Sequence, residues 1–512
     1  MGYKEISLKL PTDYTDDQLK KIIKRELKIN EFSYQIINKS LDARQKRNIH
    51  WLVRIFVTSD ELKGENPELP ISLEIPYKKR KEKVTVIGSG PAGFFSAYIL
   101  QKAGFNTTII ERGCNVNKRD EGIRKFEQTG VFDSKSNYAF GEGGAGTFSD
   151  GKLTSRSKRI GKEKQFILNS YIEAGAPKEI AYLAHPHLGS DNLKVIVKNL
   201  RELYKNIGGQ VLFETEFADF KSLNGKVSQI ETNTGILETD YLIVSTGHSA
   251  YETYKMLIKR GVSFRPKNFA IGSRIEHRQE IINFSQWGKT KLPGVKAAEY
   301  RLTSQSNENS SVYTFCMCPG GIVVPATAYQ NTNIVNGMSL YNRNGEFANS
   351  ACVAAVNPYK LLANDVSAIQ ILDWVEKLEQ SFYELSNDYS APICSINSFI
   401  NKKENQTKIE SSYPLGLNPV PLWELLPESI SNSLRQGLID FTKKKQGFDT
   451  GNILGLESKT SAPIQVLRDK SGLCEGFENL YLVGEGSGYA GGIISSGADG
   501  IKAAMSIIEQ NS

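Results

Sequence analysis

The chain has 512 residues, of which 39% are apolar and 23% are charged, and its formal net charge is +7. This length predicts two or three domains with a substantial core, and the mild charge does not indicate a nucleic-acid-binding protein. The N-terminus lacks the apolar segment of a signal peptide, and no run of 18 apolar residues predicts a membrane span. The six cysteines are scattered without zinc-type spacing, so we predict no metal site and a reducing, cytoplasmic location.

Residues 1–80 are predicted to form a small α+β module. Thr15 and Gln18 have the spacing of a capping box at the start of a helix with regular apolar positions. The turn at residues 42–47 is basic and could contact RNA, but a solvated hairpin tip or a domain-docking surface is the simpler interpretation. The three predicted strands are Tyr3–Leu10, Phe32–Asn38 and His50–Thr58.

The next motif is a Gly-x-Gly-x-x-Gly turn between a predicted buried strand, Val84–Ile87, and a predicted helix, Phe94–Ala103. Gly88 permits the tight turn, Gly90 lets a pyrophosphate approach the backbone, and Gly93 lets helix and strand pack closely. The N-terminus of the helix offers free N–H groups and a positive dipole end to phosphates. This pattern predicts a phosphate cradle at the strand end.

A second strand, Thr107–Ile110, ends at Glu111, about 20 residues after the glycine turn. A carboxylate at this distance is placed to accept hydrogen bonds from the ribose hydroxyls of a dinucleotide. Strand, helix, second strand and acid are all in register, which predicts dinucleotide binding. We include Pro91 and Ala92 of the turn, and Arg112 beside the acid, among the cofactor-binding residues.

A glycine-rich loop follows at residues 140–152. Its glycines are too frequent for the interior of a helix or strand, and they let backbone lie flat against a ligand. Phe140 and Phe148 interrupt the glycines and would anchor the loop to a core. We therefore predict that Gly143 and Gly144 contact the cofactor; the alternative is a flexible surface loop.

Two later strands also end in glycine-containing turns. The first, Tyr241–Ser245, is continuously apolar, and the second covers residues 479–483 and precedes a glycine-rich segment and an apolar helix. The residues of these turns that we predict to bind the cofactor are Thr246, Gly247, Gly484, Glu485, Gly491, Gly492 and Ile493.

Together, these stretches resemble the FAD-binding flavoproteins of the glutathione reductase type. The usual Gly-Asp of that superfamily is Gly484-Glu485 here, an acid longer by one methylene. More narrowly, almost the whole chain resembles the bacterial FAD-dependent, or NAD(P)/FAD-dependent, oxidoreductases and dehydrogenases of unassigned substrate. Further strings that carry this resemblance lie at residues 39–44, 141–153, 185–191, 246–250, 269–277 and 313–321.

The resemblance implies an α/β fold with bound FAD and redox chemistry. A Rossmann-like FAD-binding domain would comprise residues 81–250 and 451–512, and a mixed α/β substrate or cap domain would comprise residues 251–450. Outside the stretches assigned to FAD, no further Gly-x-Gly-x-x-Gly follows a strand, so NAD(P)H, if used, would bind only transiently as an electron donor.

Four residues are candidates for catalysis. Arg274 could orient an anionic substrate or the flavin edge, and His277 could move a proton; the alternative is a structural ion pair and a capped loop. His248 follows the Thr-Gly turn and would lie near FAD. Lys459 shortly precedes the last FAD-binding strand and could line the substrate side.

Cys316 and Cys318 form a Cys-x-Cys pair. On a regular strand both thiols would face the same side. They could form a redox pair near the flavin, or they could be small packing groups before a Pro-Gly-Gly turn.

The sequence thus predicts an FAD-dependent oxidoreductase that transfers a hydride between a small-molecule substrate and flavin N5. One alternative is an FAD-dependent RNA-modifying enzyme that uses the N-terminal module as a docking arm, although the mild charge argues against a nucleic-acid partner. The other is a non-catalytic binding protein with a flavoprotein fold. No substrate identity or oligomeric state is predicted.

Overall fold

The computed structural model describes residues 2–64, 72–155, 157, 159–306, 310–362, 365–403 and 409–512. Among these, no helix is both long and apolar enough to cross a membrane. The described chain forms the predicted α/β architecture, with three main sheets that correspond to a small N-terminal module, a parallel-sheet domain and a mixed-sheet domain.

The N-terminal module is a three-stranded antiparallel sheet with one helix on it. Thr15 and Gln18 form the predicted capping box, because each side chain accepts a hydrogen bond from the backbone N–H of the other. The central strand lies between the other two, in the order β1-β3-β2. The elements are β1 (Gly2–Leu10), α1 (Asp16–Leu27), β2 (Ser33–Asp42) and β3 (His50–Ser59).

The module is docked on the rest of the protein. Lys39 of β2 donates its backbone N–H to Tyr182 O at 2.8 Å and accepts from Ala184 N at 3.0 Å, which extends the sheet by one bridge. Ala43, near the start of the basic turn, and Ile49, just after it, pack against the main hydrophobic core. Residues 44–48 between them are exposed, so the tip of the turn is solvated while its two ends are docked.

A five-stranded parallel sheet is the centre of the second domain, in the order β22-β10-β4-β5-β6, where β22 is the strand Leu480–Leu482 near the end of the chain. Its elements before the mixed-sheet domain are β4 (Lys83–Ile87), α2 (Pro91–Lys102), β5 (Asn106–Ile110), α3 (Val116–Thr129), α4 (Gly161–Glu173), α5 (Gly189–Asn206), β6 (Gln210–Leu212), β7 (Phe217–Leu223), β8 (Lys226–Thr232), β9 (Gly235–Glu238), β10 (Tyr241–Val244), α6 (Tyr251–Lys259) and β11 (Phe264–Pro266).

The mixed-sheet domain has seven strands in the order β13-β14-β17-β12-β20-β18-β19. Its elements are β12 (Phe269–Arg278), α7 (Gln279–Trp287), β13 (Thr303–Gln305), β14 (Ser311–Cys318), β15 (Gly321–Pro325), β16 (Val335–Ser339), β17 (Phe347–Val356), α8 (Pro358–Leu361), α9 (Ala368–Glu384), β18 (Ala391–Ser395), α10 (Ile396–Asn401), β19 (Leu417–Pro419), α11 (Leu422–Leu425), α12 (Glu428–Lys444) and β20 (Asn452–Glu457).

The chain then returns to the parallel sheet through β21 (Ile464–Val466), β22 (Leu480–Leu482) and α13 (Ile493–Gln510). The predicted domain boundary at residue 451 lies too early, because β20 pairs antiparallel with β12 and β18 of the mixed sheet. The central parallel strands β4 and β10 are mostly apolar because both of their faces are covered. Val84 and Val86 of β4 face the core that includes α2 and α13, whereas Ile87 belongs to the core shared with the mixed-sheet domain.

Candidate functional site

One large cavity, of about 1810 Å³, lies between the parallel sheet and the mixed sheet. Loops that follow β4, β5, β10 and β22, together with the loop at residues 140–152, line one part, which we call the glycine half. Residues of β13, β14, β15, β16 and β20 line the other part, the sheet half. The glycine half lies at the carboxyl ends of the parallel strands, which is where open α/β sheets bind ligands.

The three glycines of the first turn have different structural tasks. Gly88 has a φ of 95°, and a Cβ there would lie 2.7 Å from Ser245 O. A Cβ at Gly93 would lie 2.0 Å from Gly88 O, so only glycine lets α2 approach β4 this closely. A Cβ at Gly90 would meet only Gly144 Cα, at 3.8 Å. Gly90 thus leaves bare backbone facing the cavity, as a pyrophosphate requires.

Two long helices begin at the glycine half without a side-chain cap. Gly90 is the N-cap of α2 and Gly492 is the N-cap of α13, and neither can supply a side-chain acceptor. The first N–H groups of a helix have no intrahelical partner, and they carry partial positive charge. Both helix ends can therefore accept a phosphate or another electron-rich group of a ligand.

Glu111 connects the glycine turn to the glycine-rich loop. Its Oε2 accepts hydrogen bonds from Ser89 N at 3.0 Å and Ser89 Oγ at 2.8 Å. Its Oε1 accepts from Gly113 N at 2.9 Å and Gly141 N at 3.1 Å. The carboxylate of Glu111 lines the cavity, so a ribose hydroxyl that donates to it would use the same two oxygens as these four donors.

Arg119 holds the glycine-rich loop in place, although no motif in the sequence marks this residue. Its fully buried guanidinium donates hydrogen bonds of 2.8–3.3 Å to five backbone carbonyl groups. Burial lowers the pKa of Arg119 to about 10, so it stays charged at neutral pH. The five carbonyl groups belong to Asn137, Tyr138, Gly141, Glu142 and Gly144.

A buried ion pair connects the same loop to the mixed-sheet domain. Arg343 Nε lies 2.9 Å from Asp150 Oδ1, and both side chains are buried. Burial alone would raise the pKa of Asp150, but Arg343 holds it below its usual value. Lys152 and Glu299 lie beside this pair on the cavity wall, with Nζ and Oε2 3.6 Å apart.

His248 and Glu485 meet in the glycine half, 3.7 Å apart between Nδ1 and Oε1. Burial, and then the charge of Lys459, lowers the pKa of His248 to about 3. Burial raises the pKa of Glu485 to about 7, so this contact is not a full ion pair. Buried His248 Nε2 has no hydrogen-bond partner among the described residues.

Lys459 lines the cavity and belongs to a buried cluster. Its Nζ lies 2.9 Å from Glu379 Oε1 and also donates to Tyr251 Oη. Ser458 Oγ donates to the same carboxylate oxygen at 2.6 Å. Burial lowers the pKa of Lys459, against the opposing effect of the Glu379 charge. The carboxylate therefore helps to keep an ammonium group at the cavity wall.

Arg274 and His277 do not line the cavity. Arg274 is fully buried and pairs with Glu457, with 2.9 Å between Nη1 and Oε2. His277 Nε2 lies 2.8 Å from Phe448 O, and burial lowers the pKa of the imidazole to about 4. Direct contact of these two side chains with a ligand in the cavity is thus not supported, and the structural alternative describes them better.

The expectation that Cys316 and Cys318 face the same side is wrong. Cys316 has a φ of 46°, and the pairing of β14 with β17 shifts register between Phe315 and Cys318. This bulge breaks the two-residue alternation, so that Cys316 is exposed to the cavity and Cys318 is buried.

Most of the predicted cofactor-binding residues line the cavity together. Gly93 does not, because it packs α2 on β4, and Gly143 does not, because it shapes the loop next to Thr147. Those that line it are Gly88, Gly90, Pro91, Ala92, Glu111, Arg112, Gly144, Thr246, Gly247, Gly484, Glu485, Gly491, Gly492 and Ile493.

Family models match three parts of the chain. A model described as an FAD binding domain matches residues 81–249, and one described as an FAD-dependent protein, C-terminal domain-like, matches residues 268–460. A model described as a domain of unknown function matches residues 3–58. The second of these includes β20, in agreement with its place in the mixed sheet.

A protein of Clostridium beijerinckii (strain ATCC 51743 / NCIMB 8052), described as uncharacterized, is 38% identical over 495 residues, which cover 93% of this chain and 92% of that protein. Solved structures are much more distant. L-proline dehydrogenase from P. horikoshii is 14% identical with a TM-score of 0.35, covering 85% of this chain and 95% of its own. Glycine oxidase from Bacillus cereus is 13% identical with a TM-score of 0.33, covering 84% and 96%. The two FAD-related family models, together with the 38% identical relative, show that the chain belongs to a family of FAD-dependent proteins.

Proposed function

We propose that this FAD-dependent protein is an oxidoreductase that binds a small-molecule substrate in the sheet half of the cavity, with hydride transfer between the substrate and N5 of FAD. The observation that carries this proposal is the continuity of the cavity, which joins the glycine half to a wall of polar, aromatic and sulfur-containing side chains. Its volume exceeds the roughly 300–1,000 Å³ of a usual ligand pocket, which leaves room for a second molecule beside a dinucleotide. FAD supplies the two-electron chemistry when bound.

The residues of the glycine half fit this cofactor. Bare backbone at Gly90 and the uncapped start of α2 would hold the pyrophosphate, and Glu111 would accept from a ribose hydroxyl. The uncapped start of α13 would direct its positive end at the electron-rich edge of the flavin.

Two side chains at the cavity wall are proposed to act on the substrate. Lys459 Nζ can hold or release a proton, since burial brings its pKa below the ordinary lysine value while Glu379 balances its charge. His248 is neutral at physiological pH and can donate or accept a hydrogen bond at Nε2. Arg274 and His277 have no direct part in this proposal. NAD(P)H would reach the cavity only transiently, as an electron donor.

The test is spectroscopic. The purified protein should show flavin absorbance, and this absorbance should bleach under anaerobic conditions with NADH, NADPH or one member of a panel of metabolites. Colourless protein that takes up no added FAD would contradict the cofactor assignment. A flavin that no candidate reduces at a useful rate would favour a non-catalytic binding protein.

A paired substitution tests the cradle itself. Gly90→Val should weaken FAD binding by at least about tenfold, because the new methyl groups occupy the space where backbone meets the pyrophosphate. The fold should tolerate it, since Gly90 has a φ of −67° and no close neighbour. Gly161→Val is the matched control, because Gly161 also begins a helix and a Cβ there meets nothing. Equal FAD affinity of the two variants would contradict the proposed cradle.

A further inference from the structure

The bulge in β14 places one cysteine in a strained conformation at the sheet half. Cys316 is the one exposed cysteine of six, and it lines the cavity. A φ of 46° is unfavourable for any residue with a Cβ, so surrounding contacts must hold it there. The neighbouring Cys318 is buried on the other side of the bulge.

The contacts that hold this bulge come from Arg274. Its Nη2 donates to Cys316 O at 2.6 Å, and Gly337 leaves the space that this nitrogen needs, because a Cβ there would lie 2.2 Å away. The rest of the guanidinium is fixed by three acceptors from three other strands. These are Asn336 Oδ1 at 3.1 Å, Asn349 Oδ1 at 2.9 Å and Glu457 Oε2 at 2.9 Å.

We propose that Arg274 is a positioning residue: its guanidinium turns the Cys316 carbonyl into the protein and thereby presents the Cys316 thiol to the substrate. This inference depends on the proposed function in one respect, because it assumes that a substrate binds in the sheet half. Glu457 and Asn336 line the cavity too, so the same guanidinium fixes three parts of this wall. Although its thiol is accessible from the cavity, weak hydration inside the cavity raises the pKa of Cys316 and favours the neutral thiol. Cys316 then contributes a small, polarisable contact and a weak S–H donor.

The alternative conformation of the strand explains why Arg274 matters. Without the bulge, β14 would regain regular alternation, and side chains after Phe315 would exchange faces. Cys316 would then share the buried face of Val312 and Thr314 and lose its exposure. A lysine at position 274 keeps the positive charge beside Glu457 but lacks the planar fork that reaches five acceptors, of which the fifth is Cys318 Sγ at 3.5 Å.

Thiol labelling of the native holoenzyme with 5,5′-dithiobis(2-nitrobenzoic acid), followed by peptide mapping, tests the proposal. Wild-type protein should react first at Cys316, and Cys316→Ser should lose that reaction. In Arg274→Lys, labelling of Cys316 should slow by roughly tenfold, the factor that corresponds to one lost hydrogen bond of a charged donor. Arg278→Lys is the matched control, because Arg278 ends the same strand and is partly exposed. It should label like wild type.

A second variant keeps the test decisive if Arg274→Lys does not fold. Asn336→Ala removes one acceptor from the guanidinium at a half-buried position, and it should slow labelling of Cys316 by a smaller factor. A folded Arg274→Lys or Asn336→Ala protein that labels at the wild-type rate would overturn the proposal. So would wild-type protein in which another cysteine reacts before Cys316.

The flavin content gives an independent readout. Protein without flavin but with the expected labelling pattern would contradict the proposed function and support the positioning role of Arg274. Alkylation of Cys316 in the holoenzyme with iodoacetamide should slow anaerobic flavin reduction by a reductant found active, while FAD stays bound. Unchanged reduction after complete alkylation would show that the thiol does not contact the substrate.

Discussion

The two halves of the cavity present different parts of the polypeptide to a ligand. The glycine half presents backbone, at bare glycines and at the uncapped starts of α2 and α13. The sheet half presents side chains that buried charged groups hold in place. Backbone sites depend on local sequence, whereas side-chain sites depend on contacts between distant strands. The ion pairs that border the sheet half are Asp150–Arg343, Arg274–Glu457 and Lys459–Glu379.

The largest effect should come from a glycine that packs the fold and does not face the ligand. Gly93→Val places a Cβ 2.0 Å from Gly88 O, a backbone atom that cannot move aside. We expect a loss of about 3 kcal/mol or more in unfolding free energy, measured by urea titration of FAD-free protein. Gly90→Val, three residues earlier, should stay within about 1 kcal/mol of wild type. Similar losses in both would contradict the distinction between packing and ligand-facing glycines.

Arg119 is an exception to this contrast between backbone and side chains, because its side chain holds the backbone of the glycine half in place. Arg119→Met leaves five loop carbonyl groups without their donor, which should cost about 2–4 kcal/mol of stability and weaken FAD binding. Fluorescence titration of FAD-free protein with FAD would measure the affinity. Arg124→Met is the control on the same helix, because Arg124 is largely exposed and pairs with Asp120. An unchanged FAD affinity in Arg119→Met would show that the loop holds its conformation unaided.

The same contrast explains what the sequence could predict. The turn at Gly88–Gly93 and the acid at Glu111 were predictable because their spacing along the chain is fixed by one strand, one turn and one helix. Arg119 was not, because its partners are carbonyl groups, which every residue carries. The place of β20 was missed because its partner β12 lies far away in sequence. The bulge at Cys316 was missed because nothing in the local pattern marks a break in alternation.

A titration in the glycine half should produce a smaller effect. Burial raises the pKa of Glu485 to about 7, above its ordinary value near 4.3 in the unfolded chain. The folded state therefore binds more protons than the unfolded state between these values, and stability should fall as pH rises from about 4.5 to about 7. We expect a loss of about 1–2 kcal/mol, because water still reaches part of this side chain.

Urea titrations of FAD-free protein across this pH range would measure the slope. Glu485→Gln should remove the predicted loss of stability with rising pH, whereas Glu475→Gln, at an exposed position, should retain it. His248, which faces Glu485, acts in the opposite direction, since its lowered pKa makes stability fall as pH drops below about 6.5. Lys267 carries positive charge near the same carboxylate and is unchanged in both variants. The difference between variant and wild type therefore isolates Glu485, and equal slopes would contradict its raised pKa.

The smallest predicted effect tests the backbone conformation of Cys316 in the sheet half. The test is which of two variants, Cys316→Gly or Cys316→Ala, is more stable. At a φ of 46°, glycine is favoured over alanine, so Cys316→Gly should be about 1 kcal/mol more stable than Cys316→Ala. In a regular strand the order reverses, because glycine there is less stable than alanine by roughly 0.5–1 kcal/mol. Both variants lose the thiol, so its contacts cancel and only the backbone conformation remains. Combining the pair with Arg274→Lys sharpens the comparison: if the guanidinium imposes the bulge, the advantage of glycine should shrink or reverse in that background. An advantage that persists undiminished would mean that the strand adopts the bulge without Arg274.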